Sequence, residues 1–168
     1  MAEGRLVIGT QRYSSWSLRG WLCVRLAGLD VGVEVVPLAG AGQTAALKTL
    51  SPNGCVPYLE HRGAVVWDSL SIAEYCAEHH AFLWPEDRAV RAGARSVASE
   101  LHSGFWAVRS APPMYLGRIS PLAVLLAGVL LQGIACINSI WHEGVGRGGR
   151  VPCGVGMPNA AARFSCAV

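Results

Sequence analysis

A polar segment at residues 13–19, with the sequence YSSWSLR, constrains the fold more than any other part of the chain. It follows an apolar run at 6–8, and from Leu18 onward apolar residues recur at i, i+3, i+4 and i+8. This pattern predicts a strand, a turn and a helix. Ser14 or Ser15 then stands at the helix N-cap, where free backbone N–H groups and the helix dipole favour an anion. A hydroxyl at this place can cap the helix, bind an oxyanion or stabilise a thiolate.

The rest of the first 80 residues continues this alternation of strand and helix patterns. A β-branched run at 31–36 predicts a second strand, and 43–50 predicts a short helix. Apolar runs on both sides of a His-Arg-Gly turn predict a hairpin over 56–67, and a further helix begins at Ser69. The order βαβαββα predicts an α/β fold with a four-stranded sheet and an antiparallel terminal hairpin. We therefore expect residues 1–80 to form a thioredoxin-like domain.

The second half of the chain has helical patterns instead, which predict an all-α region. Residues 81–88 break the periodicity, so we expect a linker there. Apolar residues at helical spacing over 90–108 predict one long amphipathic helix. The apolar run at 122–137 is shorter than the about 20 residues of a membrane span, so we interpret it as a buried helix. We expect a partial α-helical domain over 89–143 and a poorly ordered or atypical tail over 144–168.

Charge and cysteine content narrow the possible functions. The net charge is +3, and the basic residues lack the clustered stripe that is typical of nucleic-acid binding, so we expect no nucleic-acid partner. Six cysteines stand apart, without a Cys-x-x-Cys pair or a histidine at metal-ligand spacing. We therefore expect free thiols and no metal. Free thiols, together with an N-terminus that does not resemble a signal peptide, predict a cytoplasmic protein without a membrane partner.

Three motifs occur in order within the first 80 residues. They are YSSWSLR at 13–19, the Val56-Pro57 pair, and WDSLSIAEY at 67–75. Together they resemble the glutathione S-transferase superfamily, and especially its serine-type, zeta-like bacterial members. Single matches of this kind are common, whereas three with this order and spacing are not. The similarity fades after about Trp141.

The resemblance implies how the sulfur of glutathione would be activated. Ser14 would donate a hydrogen bond to that sulfur, and the neighbouring helix N-terminus would add a favourable field for the thiolate. Ser15 is the adjacent alternative. Either serine could instead serve only as a helix cap.

The resemblance also implies how the rest of the tripeptide would be bound. A cis Val56-Pro57 peptide would present the backbone of Val56 to glutathione as a short added strand does. Ser69 and the free N–H groups beside it would hold the γ-glutamyl carboxylate, and Asp68 would face the ammonium group. The competing explanations are an edge-strand proline in an ordinary hairpin and a simple N-cap for the helix.

The function implied by the resemblance is that of a homodimeric glutathione transferase without a covalently bound cofactor. Glutathione would be the co-substrate, attacking an electrophilic small molecule or assisting an isomerisation. The alternative is a non-catalytic thioredoxin-fold binding module or an inactive, truncated relative.

Two departures from the family pattern support that alternative. Cys55 stands where relatives often carry a polar or basic residue. The family's Ser/Thr-x-x-Asp capping box is absent near 156–164, and the chain ends at Val168, short of a full helical domain. We expect a tail that is truncated or altered, for instance by a change of reading frame. An uncovered apolar helix at 122–137 would favour dimerisation or aggregation.

Overall fold

The apolar run near the N-terminus forms one of the two inner strands of a four-stranded sheet in the computed structural model, which describes residues 2–38, 44–110 and 132–139. The sheet order is β2-β1-β3-β4. β1 (Gly4–Gly9) pairs in parallel with β2 (Gly32–Val36) and antiparallel with β3 (Tyr58–His61), which pairs antiparallel with β4 (Ala64–Trp67). The apolar centre of β1 is buried on both faces, as is typical of an inner strand in an α/β sheet.

Three helices accompany this sheet: α1 (Ser15–Ala27), α2 (Leu47–Leu50) and α3 (Ser69–His79). α1 and α3 pack against each other, α1 contacting β1 and α3 contacting β3. α2 closes a separate apolar cluster, in which Leu47 packs with Val7 and Tyr58.

The element order confirms the predicted thioredoxin-like βαβαββα arrangement. α1 ends at Ala27, because the next residue, Gly28, adopts the left-handed conformation with φ of 67°. α2 is shorter than the helix predicted over 43–50: residues 45–46 form a turn, and Ala46 offers no side chain to cap the helix. A 3-10 turn over Ala81–Leu83 follows α3.

The chain divides between Leu83 and Trp84 into two compact units. In the second unit, Asp87 caps α4 (Arg88–Ser103) by accepting a 2.9 Å hydrogen bond from Val90 N. The single long helix predicted over 90–108 is wrong, since the chain leaves the helix after α4 and restarts as α5 (Trp106–Ser110).

The break between α4 and α5 has a local cause. Gly104 is extended, and Phe105 has a φ of 61°, a value that a right-handed helix does not contain. The apolar spacing continues through the break, so periodicity alone indicates an unbroken helix.

Only part of the apolar run at 122–137 falls within the described residues. The segment 132–139 is helical, and Gly133 lies against Val108, yet none of its residues is buried. For this part the expectation of a buried helix is therefore wrong. Residues 122–131 and the predicted tail over 144–168 lie outside the described residues. Among the helices that are described, none has the length and apolarity that a membrane crossing requires.

Candidate functional site

Strand register brings three of the sequence motifs to one end of the sheet. Tyr58, at the start of β3, pairs with Val7 near the end of β1, and also with Trp67 at the end of β4. The segments that follow β1, precede β3 and follow β4 therefore meet at the same end of the sheet. These segments carry the predicted site residues. They are Ser14 and Ser15 after β1, Val56 and Pro57 before β3, and Asp68 and Ser69 after β4.

Ser14 is the N-cap of α1. Its backbone is extended, with φ of −96° and ψ of 94°, and its Oγ accepts a 3.2 Å hydrogen bond from Ser17 N. The residue is buried, so its hydroxyl lies in an environment where polar interactions are stronger than in water. Ser15 is the first residue of the helix and is only partly buried. The cap position predicted for Ser14 or Ser15 thus belongs to Ser14.

Ser17 is a polar residue of this region that sequence reasoning did not identify. Its Oγ accepts a 2.9 Å hydrogen bond from Gly9 N and lies 2.8 Å from the Oγ of Ser14, which donates to it. Ser17 is only 2% exposed. The signal that could have found it is the Ser-x-x-Ser spacing, which places Ser17 at the third helical position, where capping-box partners occur.

The peptide bond between Val56 and Pro57 is cis. Before it, Ser51 Oγ donates a 2.8 Å hydrogen bond to Cys55 O, and Cys55 N donates to Asn53 Oδ1 at 3.0 Å. The ring of Pro57 lies against Gly20 of α1, so close that a Cβ on Gly20 would stand 2.7 Å from Pro57 Cγ. This contact joins the loop before β3 to the helix that begins beside Ser14.

Asp68 and Ser69 form the start of α3. Asp68 Oδ1 accepts a 2.8 Å hydrogen bond from Leu70 N, and the backbone of Asp68 has φ of 76° and ψ of 137°. Such a conformation costs a residue other than glycine about 1–3 kcal/mol, and strain of this kind is concentrated at functional sites.

Ser69 Oγ is enclosed and has no hydrogen-bond partner among the described residues. Ser69 as a whole is 3% exposed. An enclosed hydroxyl without a partner carries a desolvation penalty of about 1–3 kcal/mol, which a ligand oxygen would offset. The Ser69 hydroxyl therefore destabilises the free protein and is able to bind a ligand oxygen.

The electrostatics of this end of the sheet favour a negatively charged ligand. α1 and α3 both begin here, and their first backbone N–H groups carry the positive ends of the helix dipoles. Neither helix has an acidic residue in its first turn, and the only carboxylate described at either N-terminus is that of Asp68, which caps α3 through its bond from Leu70 N. Their N-termini are therefore suited to a carboxylate or a thiolate.

Buried thiols elsewhere in this unit are poor candidates for a nucleophile. Burial raises the pKa of the Cys23 thiol, and it raises the pKa of Cys76 to about 12. Both are free, as are the exposed Cys55 and Cys136. Within the described ranges, no three His, Cys, Asp or Glu side chains are grouped as metal ligands would be. The hydroxyls beside α1 and the Cys55 thiol remain the groups that could act on a ligand here.

Comparison with known proteins gives three kinds of similarity. Residues 13–79 match the family model described as glutathione S-transferase, N-terminal domain. Over 106 residues, or 62% of this chain, the sequence is 31% identical to a probable maleylacetoacetate isomerase of Caenorhabditis elegans. That match spans half the length of the curated relative.

The third similarity is to solved structures. One is a maleylacetoacetate isomerase from Anaeromyxobacter dehalogenans with bound GSH in its active site, with 21% identity, a TM-score of 0.60, and coverage of 99% of this chain and 84% of that one. Another is a glutathione transferase homologue from Burkholderia with bound glutathione, with 24% identity, a TM-score of 0.59, and coverage of 85% and 68%. A Tau class glutathione S-transferase from mango gives 15% identity, a TM-score of 0.65, and coverage of 98% and 72%. At these identities the similarity establishes the fold.

Proposed function

Because this chain belongs to the glutathione S-transferase superfamily, we propose that it binds glutathione and activates the thiol of this co-substrate. The thiolate attacks an electrophilic small molecule or assists an isomerisation. The observation that carries the proposal is the register of the sheet, since the three motifs meet at one end beside two helix N-termini. The reaction requires no cofactor besides glutathione.

In this proposal the Ser14 hydroxyl stabilises the thiolate, with Ser15 as the adjacent alternative. A free thiol has a pKa of about 8.5 and is mostly protonated at neutral pH. A hydrogen bond to sulfur and the dipole of α1 both favour the charged form, and each pKa unit of lowering increases the ratio of thiolate to thiol about tenfold. The buried position of Ser14 supports this role, because little water competes for its hydroxyl.

The remaining residues bind the tripeptide. The backbone N–H and C=O of Val56, which precede the cis Pro57 bond, pair with the tripeptide backbone. Ser69 and the N-terminus of α3 receive the γ-glutamyl carboxylate. One carboxylate oxygen of Asp68 caps α3, and the second meets the ammonium group. Because Ser69 Oγ is enclosed, it reaches the ligand through a change of its χ1 rotamer.

Single and double serine variants test the proposed function. We expect Ser14→Ala to remain bound to immobilised glutathione while conjugation of a model electrophile falls at least about tenfold, the effect of losing a hydrogen bond to a charged group. Ser96→Ala is a matched control, because Ser96 is an exposed serine on α4 that bonds only its own helix. Full activity in a Ser14→Ala, Ser15→Ala double variant would overturn the proposal.

A second candidate function is glutathione binding without turnover. The specific observation in its favour is that the Ser14 hydroxyl donates its hydrogen to Ser17 Oγ in the structure, so this arrangement offers that hydrogen to no ligand sulfur. The ionisation of bound glutathione discriminates between the two functions. A thiol pKa equal to that of free glutathione indicates binding alone, whereas a lowered pKa indicates activation.

We also propose that the protein is a homodimer that acts in the cytoplasm on a small electrophile. The free thiols Cys23, Cys55, Cys76 and Cys136 support a reducing compartment. Sedimentation equilibrium of the full chain tests the dimer, and a monomer at all concentrations would contradict it. A panel of model electrophiles tests the substrate class.

A further inference from the structure

We propose that Ser17 is a positioning residue, which directs the Ser14 hydroxyl toward a bound thiolate through a hydrogen-bond relay from the backbone of Gly9. The inference rests on the proposed function, because it concerns the hydroxyl assigned to the glutathione sulfur. The relay consists of the Gly9 N–H, the Ser17 hydroxyl and the Ser14 hydroxyl, in that order. It joins the end of β1 to the start of α1.

The relay is continuous and enclosed. Gly9 N lies 2.9 Å from Ser17 Oγ, and Ser17 Oγ lies 2.8 Å from Ser14 Oγ. A third bond of 3.2 Å runs from Ser17 N to Ser14 Oγ. Ser17 is 2% exposed and Ser14 is 8% exposed. Because all three bonds are buried, water does not compete with them, and each bond polarises the next.

Donor and acceptor capacity determines which way the relay runs when an anion is bound. A serine hydroxyl has one hydrogen to donate and two lone pairs. In the structure, Ser14 donates to Ser17, which also accepts from Gly9. Ser17 Oγ then accepts hydrogen bonds from two donors. The hydrogen of the Ser17 hydroxyl itself has no acceptor among the described residues.

Reversal of the bond between the two hydroxyls satisfies every group at once. A separation of 2.8 Å between hydroxyl oxygens suits donation in either direction. When Ser17 donates to Ser14, Ser17 uses its hydrogen and still accepts from Gly9. Ser14 then accepts from both the N–H and the O–H of Ser17, and its own hydrogen becomes available to the ligand sulfur. A thiolate beside Ser14 therefore favours the reversed arrangement.

The relay also restricts where the released hydrogen points. An isolated hydroxyl rotates among several staggered positions, whereas two incoming bonds occupy the lone pairs of Ser14 and leave one direction for its hydrogen. The origin of the relay is fixed, because Gly9 is the last residue of β1. Ser17 thereby acts through Ser14 without touching the ligand.

The ionisation of bound glutathione tests the relay. In the full chain saturated with glutathione, the thiolate absorbance is followed against pH for the wild type and for Ser17→Ala. We expect the ratio of thiolate to thiol to fall about three- to tenfold in Ser17→Ala, the effect of losing one neutral hydrogen bond. Ser96→Ala is the control and leaves this ratio unchanged. An unchanged ratio in Ser17→Ala would overturn the relay.

A double-mutant cycle separates positioning from a loss of fold. If Ser17 acts through Ser14, then Ser17→Ala has no further effect on thiol ionisation when Ser14→Ala is already present. An equal fall in both backgrounds would overturn the relay and assign Ser17 a structural role only. Where Ser14→Ala itself leaves ionisation unchanged, the relay fails together with the assignment of Ser14 to the sulfur. The proposed function fails as well if the Ser14→Ala, Ser15→Ala double variant leaves ionisation unchanged. Where Ser14→Ala raises the thiol pKa and Ser17→Ala does not, only the relay fails.

A second variant keeps the test valid if Ser17→Ala does not fold. Ser17→Cys retains a hydrogen on a side chain of similar shape, but S–H is a weaker donor than O–H. We expect this variant to give a ratio of thiolate to thiol below that of the wild type and above that of Ser14→Ala. A wild-type ratio in Ser17→Cys would contradict the relay.

Discussion

At the scale of single residues, the contact between Gly20 and Pro57 positions the loop before β3 on α1. In an ordinary helix, alanine is more stable than glycine by about 0.5–1 kcal/mol. Here a Cβ would lie 2.7 Å from the Pro57 ring, which has little freedom to move away. The gain in helix propensity is therefore outweighed by overpacking.

We predict that Gly20→Ala lowers the free energy of unfolding by about 1–3 kcal/mol and weakens retention on immobilised glutathione, because the displaced Pro57 moves Val56. Urea unfolding and affinity chromatography measure the two effects. Gly93→Ala is the matched control. It lies within α4, a Cβ there meets nothing within 4 Å, and we expect it to stabilise the protein by about 0.5–1 kcal/mol. Stabilisation by both variants would contradict this account of Gly20.

The cysteines provide a second prediction at this scale. Burial raises the pKa of Cys23 and Cys76, and the reactive thiolate is therefore scarce at both positions. We predict that a thiol reagent labels Cys55 and Cys136 in the native protein and reaches Cys23 and Cys76 only in denaturant, as peptide mass spectrometry would show. Rapid labelling of Cys76 in the folded chain would contradict its buried position.

The sequence identifies Ser14 as a candidate site residue but does not identify Ser17, for a physical reason. The position of a helix cap follows from the chain itself, since polar residues precede the apolar period. The partnership of Ser17 with Gly9 depends on how α1 folds back against β1, which no local pattern contains. Likewise, the motif indicated Asp68, whereas its φ of 76° is visible only in the structure.

At the scale of secondary-structure elements, Arg5 joins three strands. From β1 it donates to Glu60 on β3 at 2.8 Å and 3.0 Å, and to Glu34 on β2 at 3.2 Å. Hydrogen bonds from Arg5 and from Tyr58 lower the pKa of Glu60. The side chains of these residues are about 40% exposed, so the ion pair of Arg5 with Glu60 contributes at most about 1 kcal/mol to the free energy of unfolding.

The lowered pKa of Glu60 predicts the direction of a pH effect. Because the pKa is lower in the folded state than the usual value of about 4.3, this contribution is present above that value and is lost as pH falls through the folded pKa. We predict that Glu60→Gln lowers the free energy of unfolding at neutral pH and that the difference from wild type shrinks toward about pH 3. Urea unfolding across this range is the measurement. If the difference in the free energy of unfolding between Glu60→Gln and wild type grew in acid, the stabilising role of the Glu60 carboxylate would be contradicted.

The sequence predicted secondary-structure elements correctly where turn residues and apolar runs indicated the same boundaries. It failed where apolar periodicity was the only signal. Strand patterns bounded by Gly or Pro predicted all four strands, because turn residues and apolar runs agreed. The long helix over 90–108 rested on periodicity alone, and the positive φ of Phe105 interrupts it. The hairpin of β3 and β4 follows from the local sequence, whereas the pairing of β1 with both β2 and β3 depends on contacts between distant residues and is visible only in the sheet order.

At the scale of the whole molecule, binding glutathione should stabilise the fold. A ligand present at about 100 times its dissociation constant adds about 2.7 kcal/mol to the free energy of unfolding. The Ser69 hydroxyl is enclosed and lacks a partner among the described residues. Replacing Ser69 should therefore affect the stability of the free protein and that of the glutathione-bound protein differently.

We predict opposite effects for Ser69→Ala with and without the ligand. Without glutathione the melting temperature is unchanged or higher, because an unsatisfied hydroxyl is removed. With glutathione the ligand-induced rise becomes smaller. Ser71→Ala, an exposed serine on the same helix, is the control and leaves both values unchanged. A destabilised free protein with an unchanged ligand-induced rise would contradict the role proposed for Ser69.

The bond from Gly9 N to a serine oxygen has a consequence for spectroscopy. A strand amide that bonds to a side-chain hydroxyl senses the polarity of that hydroxyl through its nuclear shielding. On the proposed relay, the nitrogen resonance of Gly9 would move when the thiol of a bound tripeptide loses its proton, even though Gly9 never meets the tripeptide. One isotope-labelled glycine inside the sheet would then serve as an indicator of the ionisation of the ligand.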